Sequence, residues 1–216
     1  MKSNTSSQNL WLTWTLTLTT GWLLIQYAGI QQRNSSFHTW AEVFPVFWQF
    51  ALNGLLIGAF LGVVCGLAFR LWTNHAWLWG VTTFLGYALG SPLGFLTAIG
   101  LSWTLARLNG IELLVGSSNF LIMPLVFTML FSGGLLALSQ SFALQKTLPN
   151  LPWQARALWI FGSVLSWGVG FFLSQVAWGS GFPAFLQSAV VGLVVSGAMA
   201  GILQILLMGN RQPTKA

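Results

Sequence analysis

Charge is what this 216-residue chain has least of: eight Lys/Arg and two Asp/Glu, 5% of the residues, with no aspartate anywhere. Ordinary soluble domains carry about 25% charged residues, so this chain cannot dress itself in a hydrated surface. The missing aspartate excludes a Ser/His/Asp triad. The two acids, Glu42 and Glu112, fall in different connections, where general acid–base chemistry has no held geometry. Cys65 is the sole cysteine, which excludes an intramolecular disulfide and a cysteine-based zinc site. It reads as a small apolar packing residue. No Asp, Glu, Lys or Arg falls in the interior of an apolar stretch, so the usual equipment of a proton-coupled carrier or an ion pump is lacking too.

What is present is apolar: 55% hydrophobic residues, 24 glycines, 13 tryptophans and a mean hydropathy of +0.74. The apolar runs reach the roughly 20 residues that a hydrocarbon core requires. The expected fold class is therefore an all-α polytopic membrane protein forming one integral domain over 1–216. Its spans are drawn at 10–30, 46–69, 76–100, 119–144, 155–178 and 183–208, with a short cytoplasmic tail at 209–216. The first stretch is longer than the roughly 7–15 residues of a secretory h-region and lacks a small-x-small cleavage site, so it is expected to be a retained span.

Lys and Arg collect on the cytoplasmic side of short loops. Lys2, Arg70, Lys146, Arg156, Arg211 and Lys215 lie on the side of the termini, against Arg33 and Arg107 opposite, which places both termini in the cytoplasm. The net charge of +6 is spread as single cations at helix ends with no basic run, so it is topology and not a nucleic-acid footprint. In this topology His38 and His75, the only histidines, face opposite sides and cannot share a metal ion.

Residues 31–45 mix aromatic and polar groups, as an interfacial segment does before Pro45 opens the next helix. Residues 107–118 form a second non-cytoplasmic connection. Pro149, Asn150 and Pro152 stop a helix on the cytoplasmic side, and residues 179–183 form a tight turn. Gly90-Ser91-Pro92 interrupts an apolar run that continues from Ala76 to Leu108, and proline there predicts a kinked or broken helix, either structural or lining a ligand site.

Two helix signatures recur three times. An aromatic helix carries Trp14, then Gly21-Trp22 after six residues; Trp79, then Gly86-Tyr87; and Trp159, then Ser166-Trp167. Each is followed by a helix in which small residues lead to a fixed pattern: Gly58, Gly62, Cys65, Phe69; Gly133, Ala137, Gln140, Leu144; Gly197, Gly201, Gln204, Met208. Equal spacing within helices and unequal spacing between them is what a repeated hairpin with variable loops produces. The ridge of Gly54, Gly58, Gly62 and Gly66, with Gly133, Ala137, Gly197 and Gly201 in the later copies, predicts close helix–helix packing. Gln140 and Gln204 lie one turn onward on the same face. As amides in hydrocarbon they are expected either to glue helices together or to line a polar ligand or water path. Gln26, Gln49, Asn53 and Gln175 pose the same choice. Tryptophans near span ends, among them Trp11, Trp40, Trp48, Trp72, Trp77, Trp79, Trp153 and Trp178, read as interfacial anchors, whereas Trp14, Trp22, Trp103 and Trp167 lie deeper, where they can fill the space beside the glycine ridges.

Through these residues the chain resembles, over nearly its whole length, cyanobacterial membrane proteins built of repeated hairpins. Their pattern is G-x3-G-x2-Q-x3-L-R followed by a tryptophan helix with W-x6-G-W. The chain departs from it where Cys65 replaces the glutamine, and where Gln145 and Gly209 replace the arginine that Arg70 keeps. That family has no assigned activity, so the resemblance implies a fold and a photosynthetic bacterial membrane, plasma or thylakoid, and no reaction.

Together these features lead to the expectation of a non-enzymatic integral membrane protein, a structural, assembly or accessory subunit whose partners are the bilayer and other membrane subunits. A small-solute transporter or substrate-binding subunit is the alternative, with Asn53, Ser91, Pro92, Gln140 and Gln204 lining a polar cavity. A second alternative is a pigment- or lipid-binding protein, holding chlorophyll, carotenoid or lipid through His38, His75 and the tryptophan surfaces. No metal or other cofactor is expected.

Overall fold

The computed structural model describes residues 40–70, 73–108 and 118–178, together with residues 12, 15, 16, 19, 20, 23, 194, 197–199, 201 and 202. All secondary structure among them is helical. Four long helices are defined: α1 (Trp40–Phe69), α2 (Ala76–Leu108), α3 (Ser118–Thr147) and α4 (Trp153–Trp178). The drawn spans 10–30 and 183–208, and the tail, fall mostly or wholly outside the described residues, as do the connections over 31–39, 109–117 and 179–183. Two helices, over Ala41–Phe69 and Ala76–Leu101, are long and apolar enough to cross a membrane.

Local chemistry sets the helix ends. After α1, Arg70 N–H still reaches the Gly66 carbonyl (3.2 Å), and Thr73 Oγ1 accepts from His75 N–H (3.1 Å) in a turn that opens α2. After α3, Pro149 and Asn150 end the helix. Pro152 then lends its carbonyl to Ala155 N–H (3.1 Å) as the leading residue of α4.

Two sequence expectations need correction. Pro45 does not open α1; the helix begins at Trp40, so residues 40–45 belong to it and not to a separate interfacial segment. Proline this near a helix start forfeits only the bond to Ala41. Nor does Gly90-Ser91-Pro92 break α2, which runs without interruption to Leu108. Both neighbouring helices are tied to α2 at this level: Ser91 Oγ donates to the Phe50 carbonyl on α1 (3.2 Å) and Ser132 Oγ on α3 donates to the Gly90 carbonyl (2.8 Å).

Helices consecutive in sequence pack on one another, α1 on α2, α2 on α3 and α3 on α4. The α1–α2 seam is closest toward the turn that joins the helices, where a Cβ on Gly62 would lie 2.7 Å from the Gly80 carbonyl oxygen and one on Gly80 equally close to that of Gly62. Aromatic stacks flank the glycine stretch of the seam: Phe69 on Trp79 (4.2 Å between ring centroids) and Phe50 on Phe95 (4.4 Å). On the other side of α2, Gly86 and Gly90 meet α3 at Leu136, Ser139 and Ser132.

The outward faces are as apolar as the core. On α1, Leu52, Leu56, Phe60, Val63 and Leu67 are exposed, Leu56 by 70%. Contiguous apolar surface on this scale calls for a cover of lipid or of another protein.

Candidate functional site

The core of the described bundle gathers side chains from all four helices and from Met199: Cys65, Trp79, Tyr87, Leu136, Gln140, Trp159 and Trp167 are among its buried members. Matching positions of two of the tryptophan spacings, 79/87 and 159/167, face each other there. Trp79 meets Trp159 edge to face at 6.1 Å, and two turns along, Tyr87 meets Trp167, also at 6.1 Å. α2 and α4 do not bring their backbones together, so these large rings bridge the space between them. Trp79 also donates Nε1–H to Thr147 Oγ1 (3.0 Å). The expectation that Trp79 is an interfacial anchor is thereby corrected, since its exposure is only 1%, whereas Trp48, Trp77 and Trp153 are exposed.

Inside this aromatic frame sits a small polar cluster. Gln140 on α3 is fully buried and donates Nε2–H to Thr83 Oγ1 on α2 (3.0 Å). The Cys65 thiol on α1 faces the same hydroxyl. Cys65 and Gln140, each three residues after a small residue (Gly62, Ala137), thus converge on Thr83 from α1 and α3. Gln140 keeps one acceptor, Oε1, without a partner among the described residues.

Thr83 did not stand out in the sequence, and the repeat carried only a partial signal for it. Four residues after the repeat tryptophan stand Thr83 and Ser163 in two copies, but Leu18 in the other. Ser163, also fully buried, turns its hydroxyl back to the Trp159 carbonyl (2.6 Å). Leu18 and Gln204, which hold the matching positions elsewhere in the repeat, lie outside the described residues.

Removing the amide should be mild. Gln140→Leu fills much the same volume, and Thr83 can turn its hydroxyl to the backbone one turn back. The expected loss is about 0.6–2 kcal/mol in detergent unfolding. Adding Thr83→Val should cost less than the sum of the two single changes, because both remove one shared bond.

The other candidate residues are not brought to this cluster. Ser91 lies eight residues from Thr83 on α2, about 12 Å along the helix, and its hydroxyl is committed to Phe50. Pro92 is buried beside it. Asn53 is half-buried, adjacent to Gly54, whose Cβ would lie 2.9 Å from Ser91 Cβ. Asn53 and Ser91 therefore share a level that Gln140 does not.

The small residues differ in what they touch. Gly54, Gly58 and Gly62 press against α2, while Gly66 makes ordinary contact, 3.7 Å to Gly80 Cα. Gly133 lies under the Trp167 ring, its Cβ position 2.6 Å from Cγ, and Ala137 is fully buried. Gly197 is half-buried, and a Cβ on Gly201 would meet nothing within 4 Å.

His75 is exposed in the turn before α2, and Gln49 is exposed on α1. His38, Gln26, Trp11, Trp14, Trp22, Trp72 and Glu112 lie outside the described residues, as does the side chain of Gln175. Among the described residues no group of three His, Cys, Asp or Glu side chains forms a metal-binding set.

No family model, curated protein or solved structure matches the chain. What can be said of its role rests on its own residues.

Proposed function

We propose that the chain is a non-enzymatic integral membrane protein, a six-span bundle of three quasi-repeated hairpins that serves as a structural or assembly subunit of a larger membrane complex. The observation that carries this reading is the division of labour between its faces. Several inward hydroxyls and the Gln140 amide are committed to helix–helix bonds: Ser91 to Phe50, Ser132 to Gly90, Ser139 to Thr82 and Gln140 to Thr83. The outward faces are left broadly apolar. Side chains used in this way hold helices together and offer a partner surface. The resemblance to repeated cyanobacterial hairpins and the cation bias support a bacterial plasma or thylakoid membrane with both termini cytoplasmic.

Two measurements test the proposal. The chain should stay in the membrane pellet through alkaline carbonate extraction, and gentle solubilisation should recover it with a stoichiometric membrane partner. A monodisperse monomer in mild detergent, free of any partner, would overturn the subunit role while leaving membrane residence standing.

A further inference from the structure

The α1–α2 seam has an outer side that the bundle does not fill. Because backbones meet at Gly62 and Gly80 with no side chain between them, the ridges beside them stand apart and leave an open cleft of about 930 Å³. Val63 and Leu67 form one wall, Trp77 and Val81 the other, Gly66 lies in the floor, and Arg70 stands at one mouth with Thr73 and Asn74. The size is that of a groove for a small molecule, about 300–1,000 Å³.

Its two ends differ in chemistry. The length of the cleft is apolar, and the mouth carries a cation with a hydroxyl and an amide. Arg70 is exposed and has no carboxylate within reach among the described residues. There the only acidic side chain is Glu42, near the opposite end of α1 and roughly 40 Å away at 1.5 Å per residue. Lys146 and Arg156 lie at the same end of the bundle as Arg70, the end marked by the Trp79–Thr147 bond. An exposed guanidinium above an apolar furrow, next to an exposed tryptophan, matches an anionic headgroup with its acyl chain below.

We infer that the α1–α2 cleft binds one anionic phospholipid of the cytoplasmic leaflet, its phosphate on Arg70 and an acyl chain along Gly66, Val63 and Val81. This rests on the membrane reading above. Gly62 and Gly80 then have two roles: they let the helices approach, and they leave the furrow that the lipid occupies.

The test uses the full chain in mild detergent with equal amounts of phosphatidylglycerol and phosphatidylcholine carrying identical acyl chains, read by native mass spectrometry. Wild type should retain one phosphatidylglycerol with about fivefold preference, the effect of one basic residue at a membrane surface. Arg70→Gln should bring the two lipids near parity and Arg70→Lys should keep most of the preference. Val81→Trp, which fills the cleft from an exposed position, should lower retention of both lipids. Arg107→Gln, at the other end of α2, should change nothing. Parity in wild type, which needs no variant to fold, overturns the inference, as does an Arg107→Gln effect equal to that of Arg70→Gln. Parity in a chain that resists carbonate extraction refutes the lipid site alone, whereas a chain released by carbonate refutes the membrane reading itself.

Discussion

Gly86→Ala should lose helix-packing stability out of proportion to the single methyl group it adds. The new Cβ would be driven into Ser139 Oγ and to 2.7 Å from Leu136 Cα, and the latter belongs to a backbone that cannot swing aside. Relief requires α2 and α3 to separate, which strains the Ser139 bond to the Thr82 carbonyl (2.7 Å) and the Gln140 bond to Thr83 (3.0 Å). Overpacking typically costs about 1–3 kcal/mol, and the weakened interhelical bonds add roughly 0.6 kcal/mol or more. Against this, alanine is about 1 kcal/mol better than glycine inside a helix. The expected net loss is about 1–3 kcal/mol in detergent unfolding. Gly100→Ala in the same helix, whose Cβ would meet nothing within 4 Å, keeps only the gain and should be neutral or stabilised. Equal behaviour of the two variants would show that α2 and α3 do not touch at Gly86.

Trp159→Ala should be more damaging still. The ring is fully buried, and it spans the gap between α4 and α2, whose backbones do not come together among the described residues. Truncating a buried tryptophan typically costs about 3–5 kcal/mol, the spread reflecting how far neighbours can collapse into the hole. Collapse is limited here because Trp79 is itself pinned by Phe69 on its face and by Thr147 at its indole nitrogen. Comparing Trp79→Ala, Trp159→Ala and the double variant should reveal a coupling of about 0.5–1.5 kcal/mol. Strict additivity would mean that the two rings do not act on each other.

The features most legible in the sequence were those with one geometric consequence. A glycine ridge can do little but admit a neighbour, and Gly54, Gly58 and Gly62 do lie against α2 at close range. The breaks around Pro149 and Pro152 were equally direct, since α3 ends at Thr147 and α4 starts at Trp153. Residues with several uses were harder. Tryptophan favours membrane interfaces, and Trp79 stands near the start of an apolar run, yet burial against Phe69 and Trp159 decides its place. Proline disfavours a helix interior, but α2 runs whole through Pro92, held on both sides at that level by the Ser91 and Ser132 bonds to its neighbours. Thr83 escaped notice because hydroxyls are common in this chain, and the repeat, with Leu18 at the matching place in one copy, does not single it out. Which amides meet depends on tertiary register, which spacing along one helix does not encode.

The meeting of Trp79 with Trp159 and of Tyr87 with Trp167 has a consequence for how movement can pass through the bundle. Because α2 and α4 make no close backbone approach among the described residues, a turn of α4 about its axis would reach α2 as a push on these rings. Thr83, addressed by Gln140 from α3 and by Cys65 from α1, would pass the same movement on to both of those helices, so a shift of one helix would be felt by all four.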